Sequence, residues 1–488
     1  MSRRRALLAG AAIGLLVTGV AAVTLPASAA GGGCSVAYTV QSQWQGGFTG
    51  SVVITNLGSA VTSWSLGFDF PDAGQQVTQG WNATWSQSGS HVTAASASWN
   101  GALGTSASTT IGFTGAWTGT NPVPASFTLS GAACGGGSPS PTATALPPST
   151  VLTQASTAGR VKDLGTTVQY TWPGVYFEGR FHGTGVGIVL NDSNNDYDVQ
   201  VDGTTVASLV TPGQTTYWVN NLTNTDHSVR LVKRTESPWI YGQFGGFVAA
   251  SGGTILAKPA ARSRQIEFIG DSFTAGYGNM STTRDCSGNG GVTRNSDADQ
   301  SFGALTAHTL NADYQINAWS GLGMVRNYAG SNTDISFRAY YDRTLQAATT
   351  ETWTNPPTWH PQLVVVGLGI NDFSTALNAG EQWATTDQLV AAYKTAYQGF
   401  IDKLRSRYGA GTIIVVSATL LSNTTLFADT AQQIVRDRNA QGDNRVVYWY
   451  YDDPNLDRLG CDWHPSLHDD RIISGLLNTF IGTLPLSW

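Results

Sequence analysis

Residues 135 to 150 read GGGSPSPTATALPPST, and this stretch limits what the chain can fold into more than any other feature. A Pro/Ser/Thr/Gly segment prefers extended conformations and offers too little apolar surface to build a core. Whatever precedes it and whatever follows it must therefore each close a core of its own. The segment reads as a tether and a candidate for O-glycosylation. It would hold the second half near an immobilised surface and raise local substrate concentration there. At 488 residues the whole chain has room for about three domains.

The part before the tether, residues 31 to 134, contains no Lys or Arg and only Asp69 and Asp72 as acids. Short alternating runs separated by Gly and Asn predict an all-β sandwich of immunoglobulin-like type. In Ser63-Trp64-Ser65-Leu66-Gly67-Phe68-Asp69-Phe70, the alternation puts Trp64, Leu66, Phe68 and Phe70 on one buried face. Trp44, Trp81 and Trp99 differ, because each stands among Gly, Gln, Asn and Ser without apolar neighbours. Exposed indoles of this kind make a flat platform for the apolar faces of sugar rings, the alternative being core packing. Trp85 and Trp117 fall outside that pattern and extend the platform at most.

After the tether, residues 151 to 258 continue in β style, with runs at 168 to 172, 185 to 190, 197 to 201 and 227 to 232, and turns such as Asp202-Gly203. A second β-sandwich is expected. From residue 259 to 488 the character changes. Strand-like runs at 266 to 269, 314 to 319, 363 to 367, 412 to 417 and 445 to 450 alternate with helical stretches such as 302 to 311, 385 to 407 and 470 to 480. That alternation predicts a parallel sheet with helices on both faces, a three-layer α/β/α domain.

The first of those strands runs into Gly270-Asp271-Ser272-Phe273-Thr274-Ala275-Gly276-Tyr277-Gly278. An apolar strand broken by Gly-Asp-Ser holds a hydroxyl at the carboxyl end of a sheet, where α/β proteins place their chemistry. Ser272 is thus the nucleophile candidate, with a helix N-cap as its plainer alternative. A serine needs a base, an orienting group and donors for a developing oxyanion. Downstream stand Asn317-Ala318-Trp319-Ser320-Gly321-Leu322-Gly323, Gly367-Leu368-Gly369-Ile370-Asn371-Asp372 and Cys461-Asp462-Trp463-His464-Pro465-Ser466.

In that order these segments resemble the four blocks of the GDSL/SGNH hydrolases. In detail they resemble carbohydrate esterase family 2, over roughly residues 151 to 488. The first domain resembles a family 2 carbohydrate-binding module, whose cellulose-stacking positions Trp44, Trp81 and Trp99 match. The resemblance implies a jelly-roll sandwich ahead of the hydrolase domain and removal of acetyl groups from plant cell-wall polysaccharides. It implies Ser272 as nucleophile, His464 as base, and an oxyanion hole from the Ser272 and Gly321 amides and the Asn371 side chain, with Gly323 as fallback. Most of the superfamily has Asp three residues before the histidine; here Cys461 occupies that position. Asp462 is then the orienting acid, unless a backbone carbonyl replaces it as in some members. Trp463, beside the base, is a candidate for substrate contact or for core packing. Asp271 and Asp372 read as structural.

Charged residues make up 12% of the chain, about half the usual share, and the formal charge is -6. With no basic cluster beyond Arg3-Arg4-Arg5, nothing could track phosphates, so a nucleic-acid partner is excluded and a neutral polysaccharide favoured. The triple arginine, the apolar stretch after it and Ala27-Ser28-Ala29 have the form of a signal peptide, residues 1 to 29, exported by the Sec or the twin-arginine route. The uncharged run is nearly long enough to span a membrane, but its Ala/Gly content and cleavage site argue for removal. Four cysteines in an exported chain allow three pairings of two disulfides. Cys34 and Cys134 bracket the first domain, which leaves Cys286 for Cys461.

The expectation is a secreted monomer with acetylated hemicellulose as substrate, cellulose as anchor, no membrane partner, no cofactor and no metal. Its rivals are a GDSL lipase or thioesterase, a polysaccharide binder with an inactive hydrolase domain, and a zinc deacetylase. The zinc reading rests on the His464-x-x-x-His468 spacing before Asp469 and Asp470, but Pro465 takes His464 off any continuing helix. The sugar, the hydroxyl position, and hydrolysis against acetyl transfer are open at this level.

Overall fold

The computed structural model describes residues 33–134 except 45 and 106, and residues 150–488 except 350, 422 and 423. The side chains of residues 37, 39, 41–44 and 150 are also outside it. The signal-peptide reading of residues 1 to 29, nearly all of the tether and the Trp44 ring thus lie outside the described residues. The chain divides into two compact units at the tether, Met1–Thr144 and Ala145–Trp488. Among the described residues, no helix is long and apolar enough to cross a membrane.

The first unit is a sandwich of a four-stranded and a five-stranded antiparallel sheet. Trp64, Leu66, Phe68 and Phe70 are buried together between the sheets, as the alternation predicts. The Trp64 indole donates to the Asn100 carbonyl at 2.8 Å, so its polar end is satisfied inside the core. A disulfide joins Cys34 on the first strand to Cys134 at the last described residue. Trp99 is 69% exposed and Trp81 40%. Trp81 lies flat on the sheet over Gly112, where a Cβ would meet the indole at 2.4 Å. Trp85 packs on Phe113 and Trp117 donates to the Gly47 carbonyl, and both are half-buried.

The second unit opens with a sandwich of two five-stranded antiparallel sheets built between Lys162 and Ile255. It then becomes a purely parallel five-stranded sheet: β1 (Gln265–Gly270), β2 (Asp313–Ala318), β3 (Leu363–Gly367), β4 (Ile413–Thr419) and β5 (Val446–Tyr451). Their spatial order is β2-β1-β3-β4-β5. β3 and β4 are nearly continuous apolar runs buried on both faces, as a parallel sheet covered by helices requires, while β1 and β2 also bury Glu267, Gln315 and Asn317. The helices of this unit include α1 (Ser272–Ala275), α2 (Phe302–Thr309), α3 (Ile370–Phe373), α4 (Thr386–Tyr408), α5 (Leu426–Ala440) and α6 (Leu467–Ile481).

Sandwich and sheet share one core, in which Val199 and Phe244 belong to the same cluster as Val364 and Val416. Charged pairs line the boundary. Arg230 holds Asp299 through two bonds of 2.7 and 2.8 Å, and Arg262 holds Glu178 through two of 2.9 Å. Fully buried Arg160 reaches Glu267 on β1 at 3.0 Å.

Candidate active site

At the carboxyl end of β1 the chain turns directly into α1. The buried Asp271 caps that single turn by accepting from the Phe273 amide at 3.1 Å, so Ser272 sits at the first helical position. Burial pushes the Asp271 carboxyl up to about 7, and its second oxygen has no partner among the described residues. Ser272 is 6% exposed, and its hydroxyl lies 2.8 Å from Nε2 of His464. The two residues stand 192 positions apart in the chain.

His464 is held by a turn rather than by regular structure. Its own backbone is extended before Pro465, while Asp462 and Trp463 take left-handed angles, φ 53° and 67°. This turn directs the Cys461 carbonyl at His464 Nδ1, 2.9 Å away. A carbonyl only accepts, so Nδ1 carries the proton and Nε2 accepts from the Ser272 hydroxyl, the tautomer a general base needs. Cys461 is fixed in turn by its disulfide to Cys286, by its amide bond to the Gly278 carbonyl at 3.1 Å and by the Asp462 amide bond to the Arg284 carbonyl at 2.8 Å.

The expectation for Asp462 is corrected by this geometry. Its carboxylate is exposed and accepts from the Tyr277 hydroxyl at 2.9 Å, because the left-handed backbone turns the side chain away from Nδ1. The orienting acceptor is the Cys461 carbonyl. Tyr277 packs against the imidazole with ring centres 4.3 Å apart, so the Asp462 side chain bears on the base through Tyr277 and through its charge. Burial lowers the His464 pKa, opposed by the Cys461 carbonyl and the Asp462 charge. The imidazole is therefore neutral to lower pH than an ordinary histidine, and the acid limb of kcat/KM should have its midpoint below about 6.5. For the same reason Asp462→Asn should cost less than about tenfold in kcat, against roughly 10⁴-fold where a carboxylate holds the imidazole. Steady-state rates across pH on both proteins check both outcomes.

Gly321 follows β2 with φ +79° and open space where a Cβ would sit. Its amide bonds to nothing among the described residues. Asn371, at the start of α3 beyond β3, is 5% exposed and donates to the Leu322 carbonyl at 2.9 Å, which ties it to the same loop. The Gly323 amide is occupied by Asn327 Oδ1 at 3.1 Å, which removes the fallback. Asp372 gathers the amides of Met324, Val325 and Arg326 at 2.8 to 2.9 Å and so organises the loop.

Trp463 is 62% exposed, with the Arg284 guanidinium over its ring at 3.6 Å. Three residues that the sequence reading did not single out stand at the same rim. Tyr277 flanks the base, Tyr328 is exposed and donates its amide to the Gly321 carbonyl at 2.9 Å, and Glu236 from the sandwich accepts from the Ser320 amide at 2.7 Å. Only Tyr277 carried a signal, an aromatic inside the Gly/Ala-rich run after Ser272. His468 groups with Asp457 and Asp469, within 4.8 Å of one another, and not with His464. The Asp469 oxygens there accept from the amides of Asp457, Arg458 and Ser466, bonds a cation would have to displace.

Comparison with known proteins agrees with this architecture. Residues 34–134 match the cellulose binding domain family, residues 157–259 the carbohydrate esterase 2 N-terminal family, and residues 268–466 the GDSL-like lipase/acylhydrolase family. An acetylxylan esterase / glucomannan deacetylase of Cellvibrio japonicus is 39% identical over 312 residues, 64% of this chain and 84% of that protein. A solved carbohydrate esterase is 37% identical with a TM-score of 0.62, covering 68% of this chain and 98% of the other. A family two carbohydrate esterase from Clostridium thermocellum, solved in complex with cellohexaose, is 30% identical with a TM-score of 0.59, covering 67% and 98%. A sandwich joined to a parallel sheet, a serine against a histidine at the sheet's carboxyl rim, and identity of this extent over nearly the whole of those relatives place the chain among the family two carbohydrate esterases, behind an N-terminal cellulose binding domain.

Proposed function

We propose that the protein removes acetyl groups from acetylated plant cell-wall polysaccharide, xylan or glucomannan, while its first domain holds it on cellulose. The observation that carries this reading is the 2.8 Å contact of Ser272 Oγ with His464 Nε2 in the right tautomer, on a chain related to an acetylxylan esterase / glucomannan deacetylase. Ser272 Oγ attacks the acetyl carbonyl carbon as its proton passes to Nε2. The oxyanion is held by the amides of Ser272 and Gly321 and by Asn371, whose Nδ2 has a second hydrogen to give besides the one donated to the Leu322 carbonyl. Collapse breaks the bond to the sugar oxygen, which takes the proton from Nε2, leaving acetyl-Ser272. Water, deprotonated by the same nitrogen, releases acetate and restores the hydroxyl.

Trp463 offers an exposed indole face to a sugar next to the base. On the first domain, Trp81 and Trp99 bind cellulose together with Trp44. Replacing Trp81 and Trp99 by Ala should weaken cellulose binding by about tenfold or more, with rates on a soluble acetate ester unchanged. Depletion from solution by cellulose powder, alongside the ester rate, checks this. The chain works as a secreted monomer, exported by the segment before residue 30.

The deciding experiment measures acetate released from acetylated xylan and from acetylated glucomannan by the intact protein. Release from one or both supports the reading and ranks the substrates. No release from either, with a soluble acetate ester still cleaved, would refute the polysaccharide assignment.

A further inference from the structure

We infer that Glu236, which belongs to the sandwich and not to the parallel-sheet domain, is the positioning residue of the oxyanion hole. The inference rests on the serine mechanism proposed above. Glu236 lies in the segment after the strand Thr225–Lys233, and its carboxylate spans Ser320, accepting the amide at 2.7 Å and pairing with the hydroxyl in a second, short contact. Ser320 immediately precedes Gly321.

Consider the peptide unit between Ser320 and Gly321. Upstream, the Trp319 amide donates to the Gly270 carbonyl at 3.2 Å, and Glu236 holds the Ser320 amide. Downstream, the Gly321 carbonyl accepts from Tyr328 at 2.9 Å, and the Leu322 carbonyl accepts from Asn371 at 2.9 Å. Every backbone bond named here flanks that peptide, and the Gly321 N–H is left bonded to nothing among the described residues. A glycine at φ +79° has no Cβ to resist rotation of the plane before it. If the Ser320 amide were released, the peptide could turn over and aim the Ser320 carbonyl, an acceptor, where a donor is required. Glu236 prevents that turn.

Three variants separate position from charge and from folding. Glu236→Gln keeps the reach, with Oε1 accepting from the Ser320 amide and Nε2 donating to the hydroxyl. Glu236→Asp keeps the charge near buried Lys233 but falls one methylene short of Ser320. Glu236→Ala removes both. On a soluble acetate ester, Glu236→Gln should keep kcat within about threefold, while Glu236→Asp and Glu236→Ala should lose about 10- to 100-fold in kcat with KM little changed. The ceiling is the 10²- to 10³-fold cost of losing an oxyanion donor outright. Melting temperatures report folding in parallel. Wild-type kcat in Glu236→Asp, or a fall in Glu236→Gln as large as in Glu236→Asp, would overturn the inference. Should Glu236→Ala fail to fold, the Asp and Gln pair still decides. Ser272→Ala run alongside tests the serine mechanism itself, since activity retained there would refute that mechanism whatever Glu236 does.

Discussion

Ser272→Ala is expected to lower kcat on a soluble acetate ester by roughly 10⁴- to 10⁶-fold, with substrate affinity nearly unchanged. Among the described residues, the hydroxyl is the one group within hydrogen-bond reach of His464 Nε2, at 2.8 Å, that can become covalently bound to the acetyl group. With a methyl in its place, the base has no proton to take and no acyl-enzyme forms. The amides that remain can still bind a carbonyl oxygen, which is why the expected residual rate exceeds that in water. Ser272 is buried at the start of a helix capped by Asp271, so losing one oxygen perturbs the fold little. The measurement is the steady-state rate with extensive controls for contaminating esterase, plus mass spectrometry for an acetylated serine in the wild type after rapid quenching. A variant within tenfold of wild type would end the nucleophile assignment.

The second large effect concerns stability. Glu267→Ala should destabilise the second unit by about 3–5 kcal/mol. Arg160 is fully buried, donating to Glu267 at 3.0 Å and to the Tyr341 carbonyl, with Trp353 and Tyr341 against its guanidinium at 4.2 and 4.6 Å. Removing the carboxylate leaves that cation without a counter-charge in the core, and it also strips acceptors from Tyr341 and Asn317. Glu267 lies on β1, so the strand that ends at the nucleophile loses its ionic tie to Arg160. The double replacement Arg160→Leu with Glu267→Leu should recover most of the loss, because a buried ion pair and an apolar pair of similar volume often differ little. Denaturant titration of the single and double variants tests this. Equal destabilisation in both would mean that the stranded charge is not the cause.

Much of the site could be read along the chain, and the portion that could not has a common character. Ser272 and His464 stand in segments whose residue types are rare in combination: a strand broken by Gly-Asp-Ser, and a histidine before proline. The structure brings these two together. The sequence left Asp462 and a backbone carbonyl as alternatives for holding His464, and it could not single out the carbonyl, because the acceptor is the main-chain oxygen of Cys461 and every residue has one. Asp462 carries the more suggestive side chain, but left-handed backbone angles at residues 462 and 463 turn it toward Tyr277. Glu236 had no local signal, since it sits among ordinary loop residues in a different domain, 84 positions before the serine it binds.

The periodicity of the chain determined the elements. Alternation marked the buried face at Trp64, Leu66, Phe68 and Phe70, and polar neighbours marked the exposed rings of Trp81 and Trp99. Apolar runs placed the five parallel strands to within two residues. These are local properties, set by which side chains prefer water. Only the tertiary structure decided the order β2-β1-β3-β4-β5, the shared core of sandwich and sheet, and the two main-chain groups that complete the site, the Cys461 carbonyl and the Gly321 amide. Their directions depend on how distant segments pack and on backbone angles that packing enforces, and residue identity does not encode those directions.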